Sequence, residues 1–134
     1  MSEPLNQLEK TERVNLLLDF FGDLLTERQR DFCGSYYVDN LSLSEIAGRE
    51  NITRQAVRDL LARTVKILEN YEEKTQVVSR HLTGISALAT LEDAVFQLNT
   101  LNQKHFRNKL ILELSNRMYE ALQILKGADE EVGV

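Results

Sequence analysis

The stretch that most constrains the fold is Leu41–Lys66, reading LSLSEIAGRENITRQAVRDLLARTVK. It divides into two short amphipathic helices with a turn between them. Ser42 and Glu45 form an S-x-x-E pair, whose side chains each take a backbone N–H left orphaned at a helix start. Ile46 and Ala47 supply a small apolar inner face. Asn51 tolerates the left-handed backbone that a sharp turn requires, and Ile52 is placed to plug that turn. Thr53 suits the N-cap of a second helix, whose inner face is Val57, Leu60, Leu61, Thr64 and Leu68. Alanine at 47 matters because two helices crossing near a right angle leave little room between them. Capped first helix, small residue, turn former, apolar plug and capped second helix together describe a helix-turn-helix.

The outer face of the second helix carries the candidate chemistry. Arg54, Gln55 and Arg58 fall at i, i+1 and i+4 and so cluster on one surface. They lie at the helix N-terminus, the part of a recognition helix that enters the major groove. Arginine can be bidentate to guanine and glutamine to adenine. Thr53 and the free N–H groups of the first turn can hold a phosphate. Ala62 adds no bulk, and Arg63 and Lys66 extend the positive edge. The DNA-binding candidates are therefore Thr53, Arg54, Gln55, Arg58, Arg63 and Lys66. The alternative is a charged, solvated face of an all-α protein.

The stretches Leu24-Leu25-Thr26…Gln29, Tyr36-Tyr37, Leu43…Glu45-Ile46-Ala47, Thr53-Arg54-Gln55-Ala56-Val57-Arg58-Asp59, Arg63-Thr64 and Leu68-Glu69…Tyr71-Glu72 resemble the YlxM family of small bacterial proteins. The resemblance runs from about Val14 to Lys74 and is most specific around Arg54-Gln55-Ala56-Val57. It implies a helix-turn-helix similar to region 4 of sigma factors, in a cytoplasmic, DNA-binding-like protein. The family's gene neighbourhood implies a link to the signal recognition particle pathway. Two positions depart from the family pattern: Arg58 stands where an aromatic residue is usual, and Cys33-Gly34-Ser35 replaces a more apolar stretch.

With 134 residues, one domain or one small domain with an appendage is expected. A hydrophobic content of 43%, one proline and no clear strand pattern point to an all-α fold. The net charge of −5 counts against a broad electrostatic grip on nucleic acid. The charge is uneven, however. The first 25 residues set Lys10 and Arg13 against Glu3, Glu9, Glu12, Asp19 and Asp23, whereas Arg54, Arg58, Arg63 and Lys66 face Asp59 alone. One copy should bind DNA weakly, and affinity would need a dimer or another protein. A single cysteine fits a reducing cytosol. No apolar run approaches the roughly 20 residues of a membrane span, and no signal pattern opens the chain, so a cytoplasmic protein is expected.

Taken in order, Met1 to about Lys10 is polar and expected to fray. A first helix is predicted near Thr11–Leu24, burying Val14, Leu17, Leu18, Phe21, Leu24 and Leu25. Thr26 and Gln29 form a second capping box, opening a helix that reaches about Val38 with Phe32, Tyr36 and Tyr37 toward the core. Arg28 and Arg30 either touch backbone phosphates or are simply solvated. Cys33 has no ligand partner at metal spacing, since His81 and His105 lie far off in other segments, and reads as a small core residue. The Tyr36–Tyr37 pair could stack on bases, but core packing accounts for it better.

After Lys66 no breaker appears, so the reading helix is expected to run to Arg80 or His81, with Thr83-Gly84 the first boundary. Ile85, Leu88, Leu91, Val95, Leu98 and Leu101 then form a coiled-coil-type seam. Asn99, Asn102 and Gln103 mark a bend. A last helix carries Phe106, Leu110, Leu114, Met118, Leu122 and Leu125, with Gly127 as its stop and Asp129-Glu130-Glu131 as a loose tail. The organisation expected is thus a tri-helical, wingless helix-turn-helix domain over residues 1–74 and a helical extension over 75–134, a long helix followed by a hairpin, serving dimerisation or interaction. A homodimer through that extension is preferred over a monomeric bundle.

No phosphate-cradling glycine loop, nucleophile elbow or Cys/His cluster occurs, so no enzyme, metal or cofactor is expected. Two functions are weighed. The first is a DNA-binding regulator in which Arg54, Gln55 and Arg58 read bases. In a dimer it would hold two recognition helices about 34 Å apart. The second is a non-catalytic accessory protein whose basic helix docks on signal recognition particle RNA or protein. Base discrimination would then be poor, because A-form RNA hides its major groove. A sigma-like partner of RNA polymerase is a third and weaker reading, since the chain has no room for the promoter-melting and polymerase-binding regions.

Overall fold

The structure, a computed structural model, describes Leu5 and residues 8–133. Its described residues form six α-helices and no strand: α1 (Lys10–Phe21), α2 (Glu27–Cys33), α3 (Leu43–Glu50), α4 (Arg54–Thr75), α5 (Val77–Leu101) and α6 (Lys109–Gly133). A 3-10 turn (Gly22–Leu24) follows α1, and π-helical turns extend α2 (Gly34–Val38) and α5 (Asn102–Phe106). The all-α, helix-turn-helix class expected from the sequence is the one observed. The chain divides into two compact units, Met1–Arg80 and His81–Val134, with α5 starting in the first and continuing in the second.

In the first unit the core is built from one stripe of each helix. Val14, Leu17 and Phe21 of α1, Phe32 and Cys33 of α2, Ile46 and Ala47 of α3, and Val57, Leu61 and Leu68 of α4 are buried. Burying a side chain of this size contributes about 1.5–3 kcal/mol relative to leaving it exposed, before the entropy of ordering it. Arg13 of α1 fastens to α4 by donating from Nε and Nη2 to both carboxylate oxygens of Glu69. That pair raises the Arg13 pKa above its ordinary value. Phe21 stacks on Tyr71 with ring centroids 5.8 Å apart.

Several boundaries differ from expectation. Helix α1 ends at Phe21, and Leu24 is exposed on the turn that follows. The expected fraying at the start does not hold for Leu5, which is fully buried, or for Lys10, which opens α1; Met1–Pro4, Asn6 and Gln7 lie outside the described residues. The reading helix stops at Thr75 and not at Arg80 or His81. There Gln76 takes the left-handed backbone (φ 57°), and its side chain donates to the Glu73 carbonyl (3.1 Å). No glycine or proline announces this break. The device that makes it possible is Glu72, whose buried carboxylate accepts the N–H groups of Val78 and Ser79 at 2.9 Å each.

Within the second unit Thr83-Gly84 is not a boundary, because α5 runs through it. The turn between α5 and α6 is closed by two asparagines. Asn102 is buried; its Nδ2 donates to the Asn108 carbonyl (3.0 Å) and its Oδ1 accepts the Asn108 N–H (2.9 Å). The Asn108 side chain then caps α6 by accepting from Leu110 N–H at 2.8 Å. Arg107, between them, is left-handed with φ 46°. Phe106 lies exposed in this turn and not in the last helix. Gly127 does not stop α6, whose backbone stays helical through Asp129-Glu130-Glu131 to Gly133. A glycine is tolerated inside a long helix at a cost of about 1 kcal/mol.

Candidate nucleic-acid interface

The geometry of the site starts from its caps. Ser42 Oγ accepts the Glu45 N–H (3.0 Å) while Glu45 Oε1 accepts the Ser42 N–H (3.1 Å), so α3 opens on the reciprocal box its sequence implied. Thr26 and Gln29 do the same for α2. Asn51 ends α3 in the left-handed region with φ 56°. Its neighbour Ile52 returns an N–H to the Ala47 carbonyl at 3.1 Å. Two residues later Thr53 Oγ1 accepts the Ala56 N–H (3.0 Å) and α4 begins. Ile46 and Ala47 on α3 and Val57 and Leu61 on α4 are buried, so these two helices and the turn between them share one apolar seam.

That seam decides which way α4 faces. With Val57, Leu61, Thr64 and Leu68 turned inward, the exposed side carries Thr53, Arg54, Gln55, Arg58, Arg63 and Lys66, the six candidates named from sequence. Gln55, Asp59, Ala62 and Lys66 follow one another at steps of four, three and four residues along the middle of that side. Arg58 and Arg63 border it. Among the described residues no ion pair occupies Arg54, Arg58, Arg63 or Lys66. Gln55 is engaged: its Nε2 donates to Asp59 Oδ1 at 2.8 Å. Sequence reasoning gave Asp59 no role at the site and missed this pair, although an i, i+4 Gln–Asp spacing on a helix was there to find.

The other cations near the motif are committed within the fold. Arg49 donates to Ser35 Oγ (2.9 Å), Asp31 Oδ2 (3.1 Å) and Glu50 Oε2 (2.9 Å), tying α3 to α2 and the turn after it. Arg28 lies over the Phe32 ring at 4.9 Å, and Arg30 pairs with Asp23 at 3.0 Å. Close to the motif, the cations with neither an ion pair nor a ring contact among the described residues are those of α4. Cys33 is fully buried, and burial pushes its thiol up to about 11, against a weaker lowering by the Thr64 hydroxyl. Tyr37 is buried and its hydroxyl is raised by the same desolvation, while Tyr36 packs edge-on against it at 4.9 Å.

The second unit presents a different surface. A groove of about 610 Å³ runs between one flank of α5 and one flank of α6, lined by Glu92, Val95, Phe96, Asn99 and Tyr119 among others. The opposite flanks carry Leu91, Leu98 and Leu101 on α5 and Leu110, Leu114, Met118 and Leu125 on α6, all exposed. Among the described residues, Val95 and Leu122 are the large apolar side chains of this unit that are buried. Lys126 reaches across the hairpin to Glu92 at 2.9 Å. Among the described residues no helix is long and apolar enough to cross a membrane.

Comparison with known proteins agrees with this architecture. Residues 8–109 match the model of the family UPF0122, described as "Putative helix-turn-helix protein, YlxM / p13 like". A UPF0122 protein of Shouchella clausii is 47% identical over 88 residues, covering 66% of this chain and 81% of that relative. The UPF0122 protein YofM of Lactococcus lactis is 47% identical over 85 residues, covering 63% and 77%. A UPF0122 protein of Bacillus cereus is 40% identical over 97 residues, covering 72% and 88%.

Proposed function

We propose a duplex-DNA-binding regulatory role for this chain, which belongs to the UPF0122 family of YlxM- and p13-like helix-turn-helix proteins. The observation that carries the proposal is the exposed side of α4. It holds four cations without ion pairs among the described residues, Arg54 and Arg58 at the start of the second helix of a helix-turn-helix and Arg63 and Lys66 further along it. Arg54 and Arg58 reach guanine edges, Gln55 an adenine, and Thr53, Arg63 and Lys66 the flanking phosphates. The site needs neither metal nor cofactor, and we assign the protein no catalytic role.

The protein acts as a homodimer in this reading. Its net charge of −5 leaves one reading helix too weakly held for stable occupancy. The apolar side chains of Leu91, Leu98, Leu101, Leu110, Leu114, Met118 and Leu125 on one flank of the second unit suit a second copy of the chain, because two such hairpins close into a four-helix bundle. A second reading places the same helix on signal recognition particle RNA or protein, as a non-catalytic accessory of that pathway in the cytoplasm. The acidic total charge favours it, since a shape-directed contact needs less phosphate neutralisation.

Titration of a labelled duplex library and of a structured stem-loop RNA at the same salt separates the two. Salt-sensitive duplex binding supports the regulator. RNA binding with no duplex binding supports the accessory protein and overturns the first reading.

A further inference from the structure

We propose that Asp59 is a base-reading residue: its carboxylate, set in place by Gln55, accepts a hydrogen bond from the amino group of a cytosine in the major groove. The inference rests on the duplex-DNA reading above and adds to it a residue that reading does not use.

Asp59 is exposed, sits one turn inside α4 and lies on the midline of the outward side, between the borders made by Arg58 and Arg63. A carboxylate on the midline of a helix facing a polyanion weakens every contact that is not specific to it. Among the described residues no cation pairs with it, and its single hydrogen bond, at 2.8 Å, comes from Gln55 Nε2. That bond engages Oδ1 and, among the described residues, leaves Oδ2 of this exposed side chain without a hydrogen-bond donor. The base edge that offers a donor to an acid is the N4 amino group of cytosine. Guanine and thymine would set their own acceptor oxygens against the carboxylate, and adenine places its N7 acceptor beside its amino donor.

Gln55 loses nothing by this arrangement. One of its two amide hydrogens goes to Asp59, and the other, with Oε1, remains for the N7 and N6 of an adenine. The pair therefore reads two neighbouring positions as a unit. Ala62, the next residue on the strip, has no side chain long enough to hold the helix away from the base edges.

The plain alternative is an i, i+4 bond that only steadies the helix. It makes a different prediction, because removing Asp59 would then raise affinity for every duplex alike. The test is selection from a randomised duplex library at one salt concentration, using the full chain as wild type, Asp59→Asn and Asp59→Ala, with helicity and melting checked for each. The expected result is a position enriched in cytosine by the wild type. Asparagine shifts that position to adenine, and alanine relaxes it, each by about tenfold. Unchanged preferences in both variants would overturn the inference while leaving the DNA reading intact. A wild type that enriches no sequence would overturn both.

Discussion

Glu72 and Ser79 are joined by two hydrogen bonds inside the protein: one carboxylate oxygen accepts both the backbone N–H (2.9 Å) and the hydroxyl (2.6 Å) of Ser79. Glu72 is fully buried, and its other oxygen accepts the Val78 N–H. A single glutamate late in α4 thus satisfies two of the orphan backbone donors of the next helix. An acid aligned with a helix N-terminus is the favourable orientation.

Replacing Glu72 should therefore destabilise the first unit strongly. Glu72→Ala leaves three buried donors without an acceptor and a void beside them, and about 3 kcal/mol of unfolding free energy should be lost. Glu72→Gln keeps the volume and one acceptor and should lose about 1–2 kcal/mol. Urea unfolding followed by circular dichroism measures both. Equal stability of the alanine variant and wild type would contradict the assignment.

Asn51 gives a sharper test of the turn. Its left-handed backbone (φ 56°) costs an L side chain about 1–2 kcal/mol, which asparagine partly recovers and glycine avoids. Asn51→Gly should leave the midpoint of thermal unfolding nearly unchanged, whereas Asn51→Ala should lower stability by about 1 kcal/mol.

The motif was legible in the sequence because its signals are local. Ser42 with Glu45, and Thr53, each announce a backbone hydrogen-bonding need that a side chain meets within three residues, and Asn51 announces the left-handed backbone of the turn. The α4–α5 junction was not legible for the opposite reason. Gln76 is an unusual left-handed residue, and the carboxylate that supports the junction, Glu72, lies buried within the charged run Glu72-Glu73-Lys74, where spacing alone shows no breaker. Gly127 misled in the other direction, since a glycine ends a helix only when the chain turns there. The seam read from Ile85 to Leu101 has the right period, yet most of it stays exposed. Period reports that a face is apolar and not what covers it. At the candidate site the cations were visible as types and spacing, while the engagement of Gln55 by Asp59 needed coordinates.

Cys33 should behave as a masked thiol. Fully buried and pushed up to about 11, it should not react with a thiol reagent at pH 8 until denaturant unfolds the protein. Its proton is held more tightly in the folded state than in the unfolded chain, where the ordinary value is 9.0. The stability linked to this group is complete below that pH and is lost as pH rises toward 11, by about 2 kcal/mol. Comparing the alkaline unfolding of wild type and Cys33→Ala isolates the effect, and the alanine variant should lack this part of the slope.

The exposed leucines on one flank of the second unit make a prediction about assembly. A glutamate placed at Leu98 or Leu114, both exposed on that flank, should convert a dimer into a monomer in sedimentation velocity at tens of micromolar, without altering the melting of the first unit. Phe96, 70% exposed on the groove side, serves as the control: Phe96→Glu should leave the assembly intact.

The measurement closest to the central claim is fluorescence anisotropy of a labelled duplex with wild type and the Arg54→Ala/Arg58→Ala double variant, across a series of salt concentrations. Both arginines are exposed, so the variant should fold normally. The account predicts salt-dependent binding by the wild type and a loss of at least tenfold in the variant, since each arginine contact with a base edge is worth about 1–3 kcal/mol. Equal binding by the two proteins, or no duplex binding by either, would contradict it.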